Sequence, residues 1–153
     1  MTSLAFEVIE KLNGKTLVTA ESMTGGGIGA ALTAVPGSSA VYKGGVVSYT
    51  DKVKKTVLGV DGELLNQYGA VSAPVAQAMA TGVRQLINAS IAVSVTGLAG
   101  PGGDKFGNPV GTVFIGFESD GFSIVKQYRF SGDRDAVRRQ AVEEALKLIL
   151  ENA

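Results

Sequence analysis

Ser22 stands in the stretch VTAESMTGGGIGAAL (18–32), between Glu21 and the run Met23, Thr24, Gly25, Gly26. The stretch reads as a short apolar strand passing through a tight turn into a helix of small residues. A serine at such a turn can cap the helix. It can also serve as a nucleophile whose reaction is helped by the free N–H groups of the helix mouth. The partner that would normally activate it is missing. The chain has no His and no Cys. That removes Ser-His-Asp triads, thiolate nucleophiles, disulfides and ordinary zinc sites. A base must come from Lys, Asp, Glu or Tyr, and SYTDKVKKTVLGV (48–60) offers Lys52, Lys54 and Lys55. A neutral lysine, its pKa lowered by burial or by nearby positive charge, can activate a serine. On a helix begun by Asp51, Lys52 and Lys55 share one face, while Lys54 lies elsewhere with Thr50 and Leu58 as its i ± 4 neighbours. Clustered lysines are expected to depress one another's pKa. The plain alternative is a solvated basic face.

The glycines point to a ligand as well. They gather at 25–29, 44–45, 97–103 and 107–111, near the ends of expected strands, where the ligands of α/β sheets tend to sit. Gly25, Gly27 and Ala30 satisfy a relaxed G-x-G-x-x-A spacing. The next strand, however, brings no acid before Asp51 to hold a ribose, and no G-x-x-x-x-G-K-[ST] occurs. A helix N-terminus facing one phosphate or one oxyanion survives both failures. Two classes therefore stand open: a serine hydrolase, and a non-catalytic nucleotide-binding module in which Ser22 is a cap.

These residues need elements to hold them. Leu4, Val8, Ile9 and Leu12 recur at helical spacing over 3–13, ahead of a strand at 15–20. A small-residue helix at 25–35 leads to a second strand at 44–50. Asp51 is expected to cap the helix over 51–60 and Asp61 a short one after it, while Ser72 and Pro74 open a longer one. SIAVSVT (90–96) reads as a central strand. VGTVFIGFE and FSIVKQYRF flank Ser119-Asp120-Gly121, a three-residue turn signal for an antiparallel hairpin. A closing helix puts Val137, Val142, Leu146, Ile149 and Leu150 on one face, with Arg138 and Arg139 expected on its exposed side. The expectation is an α/β fold: a single layered α/β/α domain, residues 1–153, with a mixed sheet of about five strands.

Composition limits the partners. Apolar residues make up 45% and charged residues 18%, with 14 basic side chains against 14 acidic ones. A balanced charge gives no general attraction to nucleic acid or to an anionic membrane. No apolar run approaches a membrane span and the N-terminus lacks the basic start of a signal peptide, so a cytoplasmic protein is expected. The glycosylation match at Asn88 is then a chance one. A sparsely charged surface and glycine-rich sheet edges favour a homo-oligomer.

Five co-linear motifs carry a more specific resemblance: AESMTGG, GSSAVYKGGVVSY with its following lysine, GAVS, TGLAGPGG with NPVGTV, and SGDRDAVRRQA. Together they resemble the CinA C-terminal domain family over nearly the whole chain. The resemblance implies an amidohydrolase converting nicotinamide mononucleotide to nicotinate mononucleotide and ammonia by a Ser/Lys mechanism, with no cofactor and no metal. Residue by residue, it implies Ser22 as nucleophile, Lys54 as general base, and Tyr49 bonded to the pair or helping to move its proton. Thr96 becomes a contact of the substrate or the pair, and Arg134 a substrate contact. The turn residues Thr24, Gly25 and Gly26 are expected at the substrate, as are Gly97 and Gly100 of the second glycine cluster. Glu21 has two readings, a partner for the pyridinium charge or a carboxylate complementing the helix start. Members of the family are often joined to an N-terminal domain resembling molybdopterin-binding proteins. The resemblance here concerns the amidase part.

Overall fold

The computed structural model describes residues 2–153, with side chains from Ser3 onward. Five strands form one sheet in the order β2-β1-β3-β4-β5: β1 Leu17–Glu21, β2 Tyr42–Val47, β3 Ile91–Gly97, β4 Thr112–Ser119 and β5 Phe122–Arg129. β1 runs parallel to β2 and to β3, and β4 and β5 continue antiparallel. This is the expected mixed sheet. The helices are α1 Thr2–Lys11, α2 Gly27–Thr33, α3 Asp51–Thr56, α4 Gly62–Tyr68, α5 Ala73–Ile87 and α6 Arg134–Asn152.

Period-two alternation sends successive side chains of each strand to opposite faces. Leu17, Ile91, Val93, Val95, Val113, Ile115 and Phe117 pack with α1, α2 and α6, through Val8, Leu12, Ile28, Leu32, Leu146 and Ile149. Val18, Ala20 and Ala92 pack on the other face with Val75, Met79 and Val83 of α5 and with Leu58 and Leu65. A fully buried Leu, Ile or Met contributes roughly 1.5–3 kcal/mol relative to exposure, so the sheet is clamped from both sides.

Several boundaries differ from the sequence expectation, each for a local reason. α2 begins at Gly27, because Gly25 and Gly26 have φ of 61° and 97°. Those left-handed angles make the preceding turn, and a residue with a Cβ adopts them at a cost. β2 ends at Val47, so Ser48, Tyr49 and Thr50 belong to the connection. Thr50, not Asp51, caps α3: its hydroxyl accepts from Val53 N at 3.4 Å, and Asp51 is the first helical residue. α3 stops at Thr56, ahead of a left-handed Gly59. Asp61 caps α4 as expected, accepting from Glu63 N at 3.0 Å. Ser72 precedes α5, but its hydroxyl turns back to donate to Gly69 O. The hairpin closes through Asp120 and Gly121 alone, since Ser119 pairs with Phe122. On α6, Ala141, Ala145 and Leu148 join the buried face, while Leu150 is only partly buried.

The sheet order places β2 and β3 on opposite sides of β1. The connections leaving β1 and β3 therefore diverge, and a crevice opens at the carboxyl ends of the strands, the usual ligand position in open α/β sheets. Among the described residues no helix is long and apolar enough to cross a membrane.

Candidate active site

Ser22 immediately follows β1, Ser48 follows β2, and Thr96 with Gly97 ends β3. The crevice between them is a cavity of about 360 Å³, within the usual range for a small-molecule site. Ser22, Tyr49, Asp51, Lys54, Thr96 and Arg134 supply polar groups to its wall. Met23, Ala70, Val71, Leu98 and Ala99 supply apolar surface, and Gly97, Gly100 and Gly102 supply backbone.

Lys54 leaves α3 inward and is only 1% exposed. Its Nζ lies 3.1 Å from Ser22 Oγ and 2.8 Å from Ser48 O. Lys52 and Lys55 are exposed on the same short helix. The face argument thus separated Lys54 from its neighbours correctly, but the neighbours do not tune it. Burial pushes the Lys54 amine below the ordinary lysine value of 10.5, and the Asp51 carboxylate opposes part of that shift. Desolvation disfavours the ammonium form. A neutral amine can give one hydrogen to Ser48 O and turn its lone pair to the Ser22 hydroxyl. Ser48 was not singled out by its sequence. It is fully buried, its N–H donates to Glu21 O at 2.8 Å, and its own hydroxyl finds no partner among the described residues.

The backbone around Ser22 divides into used and unused donors. Ser22 N donates to Val95 O at 3.0 Å and Gly25 N to Ser22 O at 3.1 Å. The N–H groups of Met23, Thr24 and Gly26 find no acceptor among the described residues. Of these three residues only Met23 is on the cavity wall, so its N–H is the donor of this turn best placed for an oxyanion.

The remaining expected contacts fall into two sets. Thr96, Gly97, Gly100 and Arg134 line the cavity. Thr96 Oγ1 donates to Ala70 O at 2.9 Å, so its hydroxyl ties the end of β3 to the segment before α5. Arg134 opens α6 and donates to Gly100 O at 2.6 Å and to Tyr49 Oη at 3.1 Å. Tyr49 is 58% exposed at the rim, and its hydroxyl partner is Arg134 rather than Ser22 or Lys54. Glu21, Thr24, Gly25 and Gly26 do not line the cavity. Glu21 is 2% exposed and both its oxygens are engaged: Oε1 accepts from Thr24 Oγ1 at 2.7 Å and Ile28 N at 2.8 Å, and Oε2 from Gly29 N at 3.0 Å. It satisfies the orphan donors of α2, which is the second of its two readings. The carboxylate on the cavity wall is Asp51. Among the described residues no group of three or more Asp or Glu side chains is placed to hold a metal ion.

Relatives share this arrangement of elements. The model of the CinA C-terminal domain matches residues 1–153. A CinA-like protein of Acidobacterium capsulatum is 42% identical over 139 residues, 91% of this chain and 34% of that protein. One of Thermotoga neapolitana is 44% identical over 144 residues, 92% of this chain and 35% of that one. The chain thus spans about a third of the length of these relatives. Among solved structures, the competence damage-inducible protein A of Klebsiella pneumoniae is 40% identical with a TM-score of 0.97, covering 99% of this chain and 95% of that one. The competence/damage inducible protein CihA of Agrobacterium tumefaciens is 39% identical with a TM-score of 0.95, covering 98% of this chain and 93% of that one. Fold, motifs and relatives agree: the chain belongs to the CinA C-terminal domain family.

Proposed function

We propose that the protein is an amidohydrolase that converts nicotinamide mononucleotide to nicotinate mononucleotide and ammonia with Ser22 and Lys54. The observation that carries this reading is the approach of a buried amine, its pKa lowered by burial, to within 3.1 Å of a serine on a ligand-sized cavity. A structural lysine is seldom buried this deeply without a carboxylate bonded to it, and here the amine's bonded partners are a hydroxyl and a carbonyl.

Lys54 takes the Ser22 proton as Oγ attacks the carboxamide carbon. The oxyanion is met by backbone N–H groups of the turn, a donor of this kind being worth roughly 3 kcal/mol. When the C–N bond breaks, the proton on Lys54 goes to the nitrogen and ammonia leaves. Water then attacks the ester on Ser22 and gives a proton to Lys54. That proton returns to Ser22 as the carboxylate product departs. Arg134 and the backbone of residues 99–102 suit the nucleotide phosphate, and Asp51 takes over from Glu21 as the partner for the pyridinium charge.

The test is ammonia release from nicotinamide mononucleotide by purified protein treated with a chelator. Stoichiometric ammonia and nicotinate mononucleotide are expected. Nucleotide binding without ammonia would replace this reading with the non-catalytic binding module.

A further inference from the structure

Arg138 belongs to α6, where its spacing reads as an exposed helix face. Its side chain is instead half-buried and reaches a turn more than a hundred residues earlier in the chain. Nε donates to Met23 O at 3.0 Å and Nη2 to Thr24 O at 3.4 Å. The guanidinium therefore grips two successive peptide units just behind Ser22. Met23 lines the cavity beside Ser22, and its own N–H has no acceptor among the described residues. Charge-assisted bonds to the Met23 and Thr24 carbonyls hold the backbone that carries this N–H. The planar fork also fixes the orientation of that backbone, which a lysine's single point of charge does less well. Gly25 leaves room for this contact: a Cβ there would stand 3.3 Å from Arg138 Nη2. The competing carboxylate, Asp135 Oδ1, is exposed and 4.0 Å from Nη1, too distant to hold the guanidinium away.

We propose that Arg138 is a positioning residue that holds the Met23 and Thr24 backbone so that the free Met23 N–H, on the cavity wall, serves the oxyanion formed at Ser22. The inference rests on Ser22 being the nucleophile. Arg138 does not touch the Ser22–Lys54 pair and does not itself line the cavity, meeting its wall only through the Met23 carbonyl, so its effect falls on the reacting carbonyl and not on nucleotide affinity.

Two measurements on Arg138→Ala, Arg138→Lys and Arg139→Ala test it. The first is the rate at which a fluorophosphonate modifies Ser22, followed by intact mass, which needs no assumption about the natural substrate. The second is kcat and KM with nicotinamide mononucleotide. Loosening one oxyanion donor predicts that Arg138→Ala slows Ser22 modification and kcat by about 10- to 100-fold, with KM within about twofold. Arg138→Lys should lie between Ala and wild type. Millimolar ethylguanidine should restore part of the Arg138→Ala loss, an effect that a purely structural contact does not show. Arg139→Ala, an exposed neighbour, should match wild type. An Arg138→Ala or Arg138→Lys protein that modifies Ser22 at the wild-type rate overturns the inference alone. So does a loss carried by KM. A wild-type Ser22 inert to the reagent overturns both the nucleophile reading and this one.

Discussion

Replacing Lys54 with methionine should abolish activity and raise stability together. The side chain is 1% exposed, and its amine has two bonded partners, Ser22 Oγ and Ser48 O. Methionine fills the same unbranched channel without the amine. The variant loses two hydrogen bonds and leaves Ser48 O short of a donor, a cost of about 1–3 kcal/mol. It also escapes the desolvation of a buried ammonium, which is several kcal/mol per ion even after relaxation. The second effect is the larger at neutral pH, so Lys54→Met should gain about 1–2 kcal/mol, or roughly 2–8 °C in Tm for a domain of this size.

The pH dependence separates this from simple repacking. The folded pKa of Lys54 lies below the unfolded value of 10.5. Between the two, the unfolded chain binds the extra proton, so wild-type stability rises with pH through that window and levels off above about 10.5. The variant lacks this contribution. Its advantage should be greatest below the folded pKa and shrink as pH climbs toward 10. Thermal unfolding of both proteins between pH 6 and 10 reads the difference directly. A variant less stable than wild type by a pH-independent amount would show that Lys54 is a structural tie, and the argument for a poised base would fail.

Other expectations follow from single contacts. Glu21→Gln keeps the shape but loses the charge on bonds to Thr24, Ile28 and Gly29, so denaturant unfolding should show a loss of about 2–4 kcal/mol. A variant as stable as wild type would remove Glu21 as the cap of α2. Arg134→Ala should raise KM for the nucleotide at least about tenfold while kcat falls less. The reverse split would move Arg134 into the chemistry. Tyr49→Phe removes the hydroxyl that accepts from Arg134 at 3.1 Å, so steady-state kinetics should show KM rising about two- to fivefold with kcat nearly unchanged. A kcat loss above about a hundredfold would instead make Tyr49 a proton carrier.

The sequence was most informative where the chemistry is local. The elimination of His and Cys narrowed the base to a few residue types, and helical spacing separated Lys54 from Lys52 and Lys55. The central strands were legible as short, nearly continuous apolar runs, because β1 and β3 are buried on both faces. Legibility failed where a side chain answers to a distant partner. Glu21 sits beside Ser22 in sequence yet faces the helix start, a choice made by orphan N–H groups that are visible only once α2 exists. Tyr49 bonds Arg134 across 85 residues, and Arg138 bonds Met23 and Thr24 across 115 and 114. No local pattern marks such pairs, and Arg138 looks like any solvated arginine on a closing helix. Ser48 contributes through its carbonyl, which every residue possesses.

Turnover by Ser22→Ala is the most direct measurement of the central claim. The hydroxyl lies 7% exposed at the cavity, within reach of the lysine amine, with unused backbone donors behind it. With folding verified by circular dichroism, ammonia release from nicotinamide mononucleotide should drop by at least about a thousandfold. A Ser22→Ala protein that releases ammonia within about tenfold of the wild-type rate would contradict the account.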